Sequence, residues 1–196
     1  MYETLSLAIL ADARLPADWM TVYVGVRGIE LGGYCSVAHL PMEEVQAFAL
    51  DALAGAVGTP DEWNIYQVAD ADRKHDGTEP PPALRELAKA TGVSVDTARR
   101  KWRYAVITDV LPRVTEAERR SAFDPGWDLW CEISNELHDL LDGWSAVCAE
   151  NPPPEAGYLW DDDAEAKWQA TITAYNEWRE REYAALTAET ERGAIQ

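Results

Sequence analysis

The stretch that decides the fold is residues 82–107, PALRELAKATGVSVDTARRKWRYAVI. Its first apolar residues, Leu84, Leu87 and Ala88, recur at the i, i+3, i+4 spacing that is typical of one face of a helix. Gly92 follows, where a left-handed residue can end the helix without the steric cost that a Cβ atom would add. The pattern therefore predicts a short amphipathic helix that stops at a tight turn.

A second helix is predicted to begin at Ser94, because serine immediately before a periodic run is a favourable N-cap. Val95, Ala98 and Trp102 are expected on its inner face, with Trp102 as a core anchor. A different face of the same helix collects charged residues at i, i+3, i+4 and i+7. These residues are Asp96, Arg99, Arg100 and Arg103.

Two helices, a Gly-containing turn and a basic outer face resemble the helix-turn-helix DNA-binding module. The words GVSVDTARRKWR are also similar to the recognition-helix segment of excisionase and MerR-type modules. Any αα-hairpin with a glycine turn gives the same pattern, so a purely structural role is the alternative. The matching residues are Leu87, Ala88, Gly92, Val93, Ser94, Ala98 and Trp102. The resemblance implies contacts with double-stranded DNA from Ser94, Val95, Asp96, Thr97, Arg99, Arg100, Lys101 and Arg103.

The charge of the chain is strongly negative but unevenly distributed. The formal net charge is −18. Residues 1–71 hold 2 basic and 10 acidic residues, residues 72–120 hold 11 and 8, and residues 121–196 hold 4 and 17. The one basic region contains the predicted helix-turn-helix, which favours contact with phosphates there. The acidic flanks would repel the same DNA unless they point away.

Composition excludes several classes of protein. The sequence contains no run of 18 apolar residues, so no membrane span is predicted. The N-terminus lacks the basic start of a signal peptide. Three cysteines without CxxC spacing predict a reducing cytoplasm rather than a disulfide framework or a zinc site. Walker, GxSxG, HExxH and GxGxxG motifs are absent from the sequence. We therefore expect no enzyme activity, no cofactor and no metal.

The first 70 residues are predicted to form a small α+β unit. Strands are expected at 21–28, 34–40 and 62–68, and an amphipathic helix at 41–57. Residues 21–68 resemble the first domain of ArdA-type antirestriction proteins, in which a strand like VYVGV leads through a glycine turn to a helix and a DEW-type strand. The matching residues are Val22, Tyr23, Val24, Gly33, Glu43, Glu62, Trp63 and Ile65.

The chain is predicted to divide at its proline-rich segments. The expected fold is α+β: a small antiparallel sheet with a helix, followed by a mainly helical part with a helix-turn-helix and an acidic helical pair. Pro112 is expected to stop the second helix of that module, and a short helix is expected at 115–123. The predicted units are residues 1–70, a linker at 71–82, a helix-turn-helix domain at 83–123 and an acidic helical region at 124–196.

The acidic region carries two further candidate surfaces. A heptad-like apolar seam predicts burial within the protein or a homodimer interface. Its residues are Trp130, Ile133, Leu137, Leu140 and Trp144. The carboxylates around it are candidates for binding a basic partner, since acids four apart lie about 6 Å apart along a helix axis. These are Asp128, Glu132, Glu136, Asp139 and Asp142, together with Asp161, Asp162 and Asp163.

Two functions follow from these observations. The first is a dimeric helix-turn-helix transcription regulator. The alternative is an acidic DNA mimic of the antirestriction or anti-CRISPR type, which binds a nucleic-acid-binding protein and uses its helix-turn-helix to control its own gene. Clustered positive charge at 99–103 favours the regulator, because a pure decoy has no use for it.

Overall fold

The computed structural model describes residues 4–30, 37–71, 79–120 and 164–193, and over these ranges the protein is mainly helical. The described elements are α1 (Leu7–Asp12), α2 (Trp19–Arg27), β1 (Ile29–Glu30), β2 (Val37–Ala38), α3 (Met42–Ala56), α4 (Glu62–Ala69), α5 (Pro82–Ala90), α6 (Val95–Arg120) and α7 (Ala164–Gly193).

Helix α2 lies where the sequence pattern predicted a strand at 21–28, and that prediction is wrong. The side chain of Asp18 caps the helix by accepting a hydrogen bond from the backbone N–H of Thr21 at 2.8 Å. Val22, Val24 and Val26 are all buried, so the helix is apolar on several sides. A helix buried all round carries the same β-branched composition as a buried strand, and periodicity does not separate the two.

The strand predicted at 62–68 is also wrong, because helix α4 occupies that segment. Ile65 and Val68 are its buried residues, and their i, i+3 spacing places both on the face toward the core. The predicted three-stranded sheet is not found in the described residues. Strand β1 lies beyond the segment predicted at 21–28, and it pairs antiparallel with β2, which covers two residues of the strand predicted at 34–40, so that Ile29 is opposite Ala38. The described part of the chain is thus helical with a two-residue β-ribbon rather than α+β with a sheet.

Helix α3 confirms the helix predicted at 41–57. Pro41 precedes its first turn, and Glu43 and Glu44 lie in that turn, where carboxylates interact favourably with the helix dipole. The Glu44 carboxylate also accepts a hydrogen bond of 2.6 Å from the backbone N–H of Leu7 at the start of α1. This contact joins the start of α1 to the first turn of α3.

The two helices and the turn predicted within 82–107 are confirmed as secondary structure. Gly92 adopts φ +69°, the left-handed conformation expected after α5. The Ser94 hydroxyl accepts a hydrogen bond of 2.9 Å from the backbone N–H of Thr97 and so caps α6. Helix α6 continues to Arg120, so the predicted stop at Pro112 and the separate helix at 115–123 are wrong. Proline removes one backbone hydrogen bond, but its φ is compatible with helical geometry.

Trp102 is the centre of the core, as predicted. Its side chain is fully buried, and its indole N–H donates to the backbone carbonyl of Thr21 at 2.8 Å. The ring lies against Gly25 so closely that a Cβ at that position would come within 2.8 Å of it. Helix α2 therefore needs glycine there to accept α6.

One hydrophobic cluster joins side chains from before and after the 71–82 segment. It includes Val22 of α2, Leu87 of α5, Trp102 of α6 and Leu186 of α7. Helix α5 packs on α2 and α4, while α6 packs on α1, α2 and α7. The division into the four units stays a prediction, and the packing places α5 and α6 on the N-terminal helices.

Candidate nucleic-acid interface

The first turn of α6 is exposed and forms what we name the recognition face: Ser94, Val95, Asp96 and Arg99. Val95 is 41% exposed, so its predicted place on the inner face is wrong. Burial along α6 starts only at Thr97 and Ala98, and Val95 precedes that point. These four side chains can reach a partner without any rearrangement of the protein.

Lys101 is inside the protein and not on this face. Its side chain is 0% exposed, and its ammonium donates to the Asp18 carboxylate at 2.6 Å and to the carbonyl of Pro16 at 3.2 Å. A buried ammonium needs such partners because removing it from water is costly. Lys101 was expected to contact DNA; the structure instead uses it to attach α6 to the start of α2.

Arg100 is occupied by two carboxylates of α7. Its Nε and Nη2 donate to the two carboxylate oxygens of Glu182 at 2.7 and 2.9 Å, and its Nη1 donates to Glu189 at 2.8 Å. The hydrogen bond with Glu182 is the largest cause of a strongly raised pKa of Arg100, against the opposing effect of burial. The guanidinium is therefore bound in the planar, bidentate way in which arginine binds a phosphate or carboxylate.

Thr97 and Glu189 extend the same contact. The Thr97 hydroxyl donates to the Glu189 carboxylate at 2.8 Å, and Thr97 is buried. Burial raises the pKa of Glu189. The hydrogen bonds from Arg100 and Thr97 lower it by more than burial raises it, so the net shift of the pKa is downward. The rings of Trp178 and Tyr183 lie 6.1 and 6.0 Å from the ring of Tyr104 and add an aromatic contact between α7 and α6. We name Arg100, Thr97, Glu182 and Glu189 the α6–α7 clasp.

The remaining basic residues of the module differ in accessibility. Arg99 is exposed, whereas Arg103 is half-buried and takes part in an interaction within the protein. On α5, Lys89 pairs with Glu86 at 2.7 Å, and Arg85 lies 3.7 Å from Glu79. Of the eight residues predicted to contact DNA, the structure brings four together on the recognition face.

The clasp glutamates were not predicted. Glu182 and Glu189 are seven residues apart, and this spacing of two helical turns places them on one face. That pattern was visible in the sequence, but nothing in it indicates that the partner is Arg100, which is more than 80 residues away. Asp18, the partner of Lys101, is equally distant in sequence.

Several candidates fall outside the described residues. They are the carboxylates Asp128, Glu132, Glu136, Asp139, Asp142, Asp161, Asp162 and Asp163, and the seam residues Trp130, Ile133, Leu137, Leu140 and Trp144. Both the acidic surface and the dimer interface stay predictions.

No protein-family model, curated protein or solved structure matches the chain. Among the described helices, none combines the length and apolar character that crossing a bilayer requires. Within the same ranges, His, Cys, Asp and Glu do not gather in a group of three that could hold a metal ion.

Proposed function

We propose that the protein is a helix-turn-helix DNA-binding regulator that contacts duplex DNA through the recognition face. The observation that carries the proposal is the exposed first turn of α6, which follows a tight turn and is held to the body by buried Trp102 and Lys101. In helix-turn-helix proteins, the N-terminal residues of the second helix contact base edges in the major groove. Arg99 supplies the cation, and Ser94 and Asp96 supply polar groups beside it.

The clasp gives this binding site a competitor within the same chain. Arg100 lies next to Arg99 on α6, and its guanidinium is the group that would bind a phosphate or a guanine edge. In the structure, Glu182 and Glu189 bind this guanidinium. The described arrangement is then a closed form, in which Arg99 is available and Arg100 becomes available only when α7 moves away.

A salt-dependent binding titration tests both the DNA contact through the recognition face and the closed form held by the clasp. Fluorescence anisotropy with labelled genomic duplexes at 50 and 200 mM salt is expected to show modest binding by the wild type. Arg99→Ala should weaken it about tenfold, within the ~1–3 kcal/mol of an arginine–base contact. Glu182→Gln with Glu189→Gln should strengthen it several-fold and steepen the salt dependence, because each added phosphate contact contributes a slope of about −0.9.

The matched control is Glu177→Gln with Glu180→Gln, two exposed glutamates of the same helix. This double variant removes the same charge but leaves the clasp intact, so it measures the general effect of reduced repulsion. Equal gains from the two double variants would reject the closed form. Absence of binding by every variant at low salt would reject the DNA-binding function itself.

A second candidate function is that of an acidic protein that binds a nucleic-acid-binding partner in place of DNA. The observation that favours it is the structural use of the central cations, since Arg100 and Lys101 both have partners within the fold. Clustered positive charge is therefore compatible with a protein that never contacts DNA. Competition with DNA for a basic partner, unaffected by Arg99→Ala, would select this function.

A further inference from the structure

The outer face of α4 carries two large aromatic side chains that solvent reaches. Trp63 is 64% exposed and Tyr66 is 47% exposed. Their rings stack on each other with centroids 5.6 Å apart and planes 18° from parallel. Ile65 and Val68 are the buried residues of this helix, so the aromatic pair lies off the face that packs on the core.

The neighbouring helix of the same hairpin adds exposed aliphatic side chains. Leu50 of α3 and Val57, which directly follows α3, are 58% and 73% exposed. Helices α3 and α4 pack on each other, so the four side chains belong to one structural unit. We name Leu50, Val57, Trp63 and Tyr66 the aromatic hairpin face. Exposed apolar side chains concentrated in one unit are typical of interaction surfaces.

The charge of this hairpin is of one sign. Residues 42–71 contain six carboxylates and no Lys, Arg or His. Two carboxylates have structural roles, since Glu44 accepts from the N–H of Leu7 and Glu62 accepts from the N–H of Gly58. Asp51, Asp61 and Asp70 are exposed. Asp70 follows Tyr66 by four residues and Trp63 by seven, which places the three on one helical stripe.

We propose that the aromatic hairpin face binds an arginine-containing basic segment of another protein. A guanidinium stacks on the face of a tryptophan or tyrosine ring, and it is attracted by both the ring and the nearby carboxylate. The methylene groups of an arginine side chain can lie along apolar surface while its guanidinium keeps its polar contacts. The site is separate from the recognition face and does not depend on DNA binding.

Charge complementarity selects this occupant over the others. Residues 121–163 of the same chain contain eleven carboxylates and no Lys or Arg, so this segment would be repelled by the hairpin. A second copy of the protein brings its own net charge of −18. Nucleic acid is also negatively charged, and the carboxylates beside the aromatic rings would repel it. A basic protein segment satisfies both the charge and the apolar surface.

Binding of a labelled peptide of alternating arginine and alanine, measured by fluorescence anisotropy, tests the proposal. Trp63→Ala with Tyr66→Ala changes no charge and should weaken binding at least fivefold. Val37→Ala, at an exposed apolar position outside both the hairpin and the recognition face, is the control and should leave affinity unchanged. Circular dichroism should show the same fold in all variants, because the substituted side chains are exposed.

Charge variants separate a local site from general attraction between opposite charges. Asp51→Asn with Asp70→Asn should weaken binding more than Glu177→Gln with Glu180→Gln, although both remove two negative charges. Equal losses, or an unchanged affinity of the Trp63 and Tyr66 variant, would overturn the proposal. Sedimentation that shows wild-type dimers lost in that variant would assign the face to a second copy instead. Neither result would bear on DNA binding through α6.

Discussion

Two adjacent cations of α6 have opposite surroundings. Lys101 points into the protein, is fully buried and pairs with Asp18, which also caps α2. Arg100 points toward α7, remains 26% exposed and binds two glutamates of that helix. Successive residues of a helix lie about 100° apart around its axis. One step along the chain therefore separates a contact that holds the core from a contact that holds a peripheral helix.

Positive charge on α6 therefore has more than one use. A buried ammonium with a carboxylate partner fixes how α6 lies against α2, and losing either partner leaves an uncompensated charge. A guanidinium at the surface of α6 can exchange one set of carboxylates for another anion, because solvent reaches the site. The inner pair stabilises the packing of α6 on α2, and under the proposed function the outer contacts control whether Arg100 is available to a partner.

Substitutions on the buried face of α6 should lower the free energy of unfolding more than substitutions on its outer face. Trp102→Ala is expected to lower the free energy of unfolding by about 3–5 kcal/mol, as for other buried tryptophans. The loss combines an emptied core volume with the lost hydrogen bond from the indole to the carbonyl of Thr21. Urea denaturation followed by circular dichroism measures it. Trp63→Ala, at an exposed position, serves as control and should change stability by about 0.5 kcal/mol or less; equal effects of the two would contradict the described core.

Disrupting the ion pair between Lys101 and Asp18 should have the next largest effect on the free energy of unfolding. Lys101→Met is expected to cost about 2–3 kcal/mol, somewhat less than a fully buried pair because Asp18 is partly exposed. Adding Asp18→Asn should recover part of this loss, since asparagine still caps α2 and no lone carboxylate remains. Additive losses in the double-mutant cycle would show that the two side chains are not coupled.

The fold was predictable from sequence where local signals agreed with tertiary packing. Gly92 and Ser94 both mark the turn before α6, and the structure confirms both. The valines of α2 mark a buried segment, but burial on several sides removes the periodicity that separates a helix from a strand. Trp63 shows the same limit, because an aromatic residue that fits a strand is here an exposed helical residue.

The candidate site was predictable only in part, for a different reason. Ser94, Asp96 and Arg99 are exposed, which the helical register alone indicates. Whether Arg100 faces solvent depends on α7, and ion pairs between residues more than 80 positions apart leave no local pattern. The burial of Lys101 depends on Asp18, which lies opposite it in the packed structure and pairs with its ammonium. Long-range electrostatic pairing was the information that the sequence lacked.

The outer contact should be the weakest and the one that responds to pH. Burial raises the folded-state pKa of Glu189, but Arg100 and Thr97 together outweigh that effect, so the pKa is lowered on balance. A carboxylate whose pKa is depressed on folding contributes stability above its unfolded value of about 4.3, and that stability is lost as the pH falls through the folded value. Arg100 and Arg192 are the cations that act on it. Docking of α7 is therefore expected to persist from neutral pH to about pH 5 and to weaken below it.

Hydrogen exchange of the α7 amides, corrected for the intrinsic pH dependence of exchange, measures this docking. Glu189→Gln should lower protection already at pH 7, by about 1–2 kcal/mol, because a neutral amide replaces a charge-assisted hydrogen bond. It should also remove most of the change between pH 7 and pH 3.5. Glu180→Gln, at an exposed position of the same helix, should retain both the protection and its pH dependence. If wild-type protection is the same at both pH values, the carboxylate of Glu189 does not hold α7, and Arg100 must be secured by Glu182 and the aromatic contacts alone.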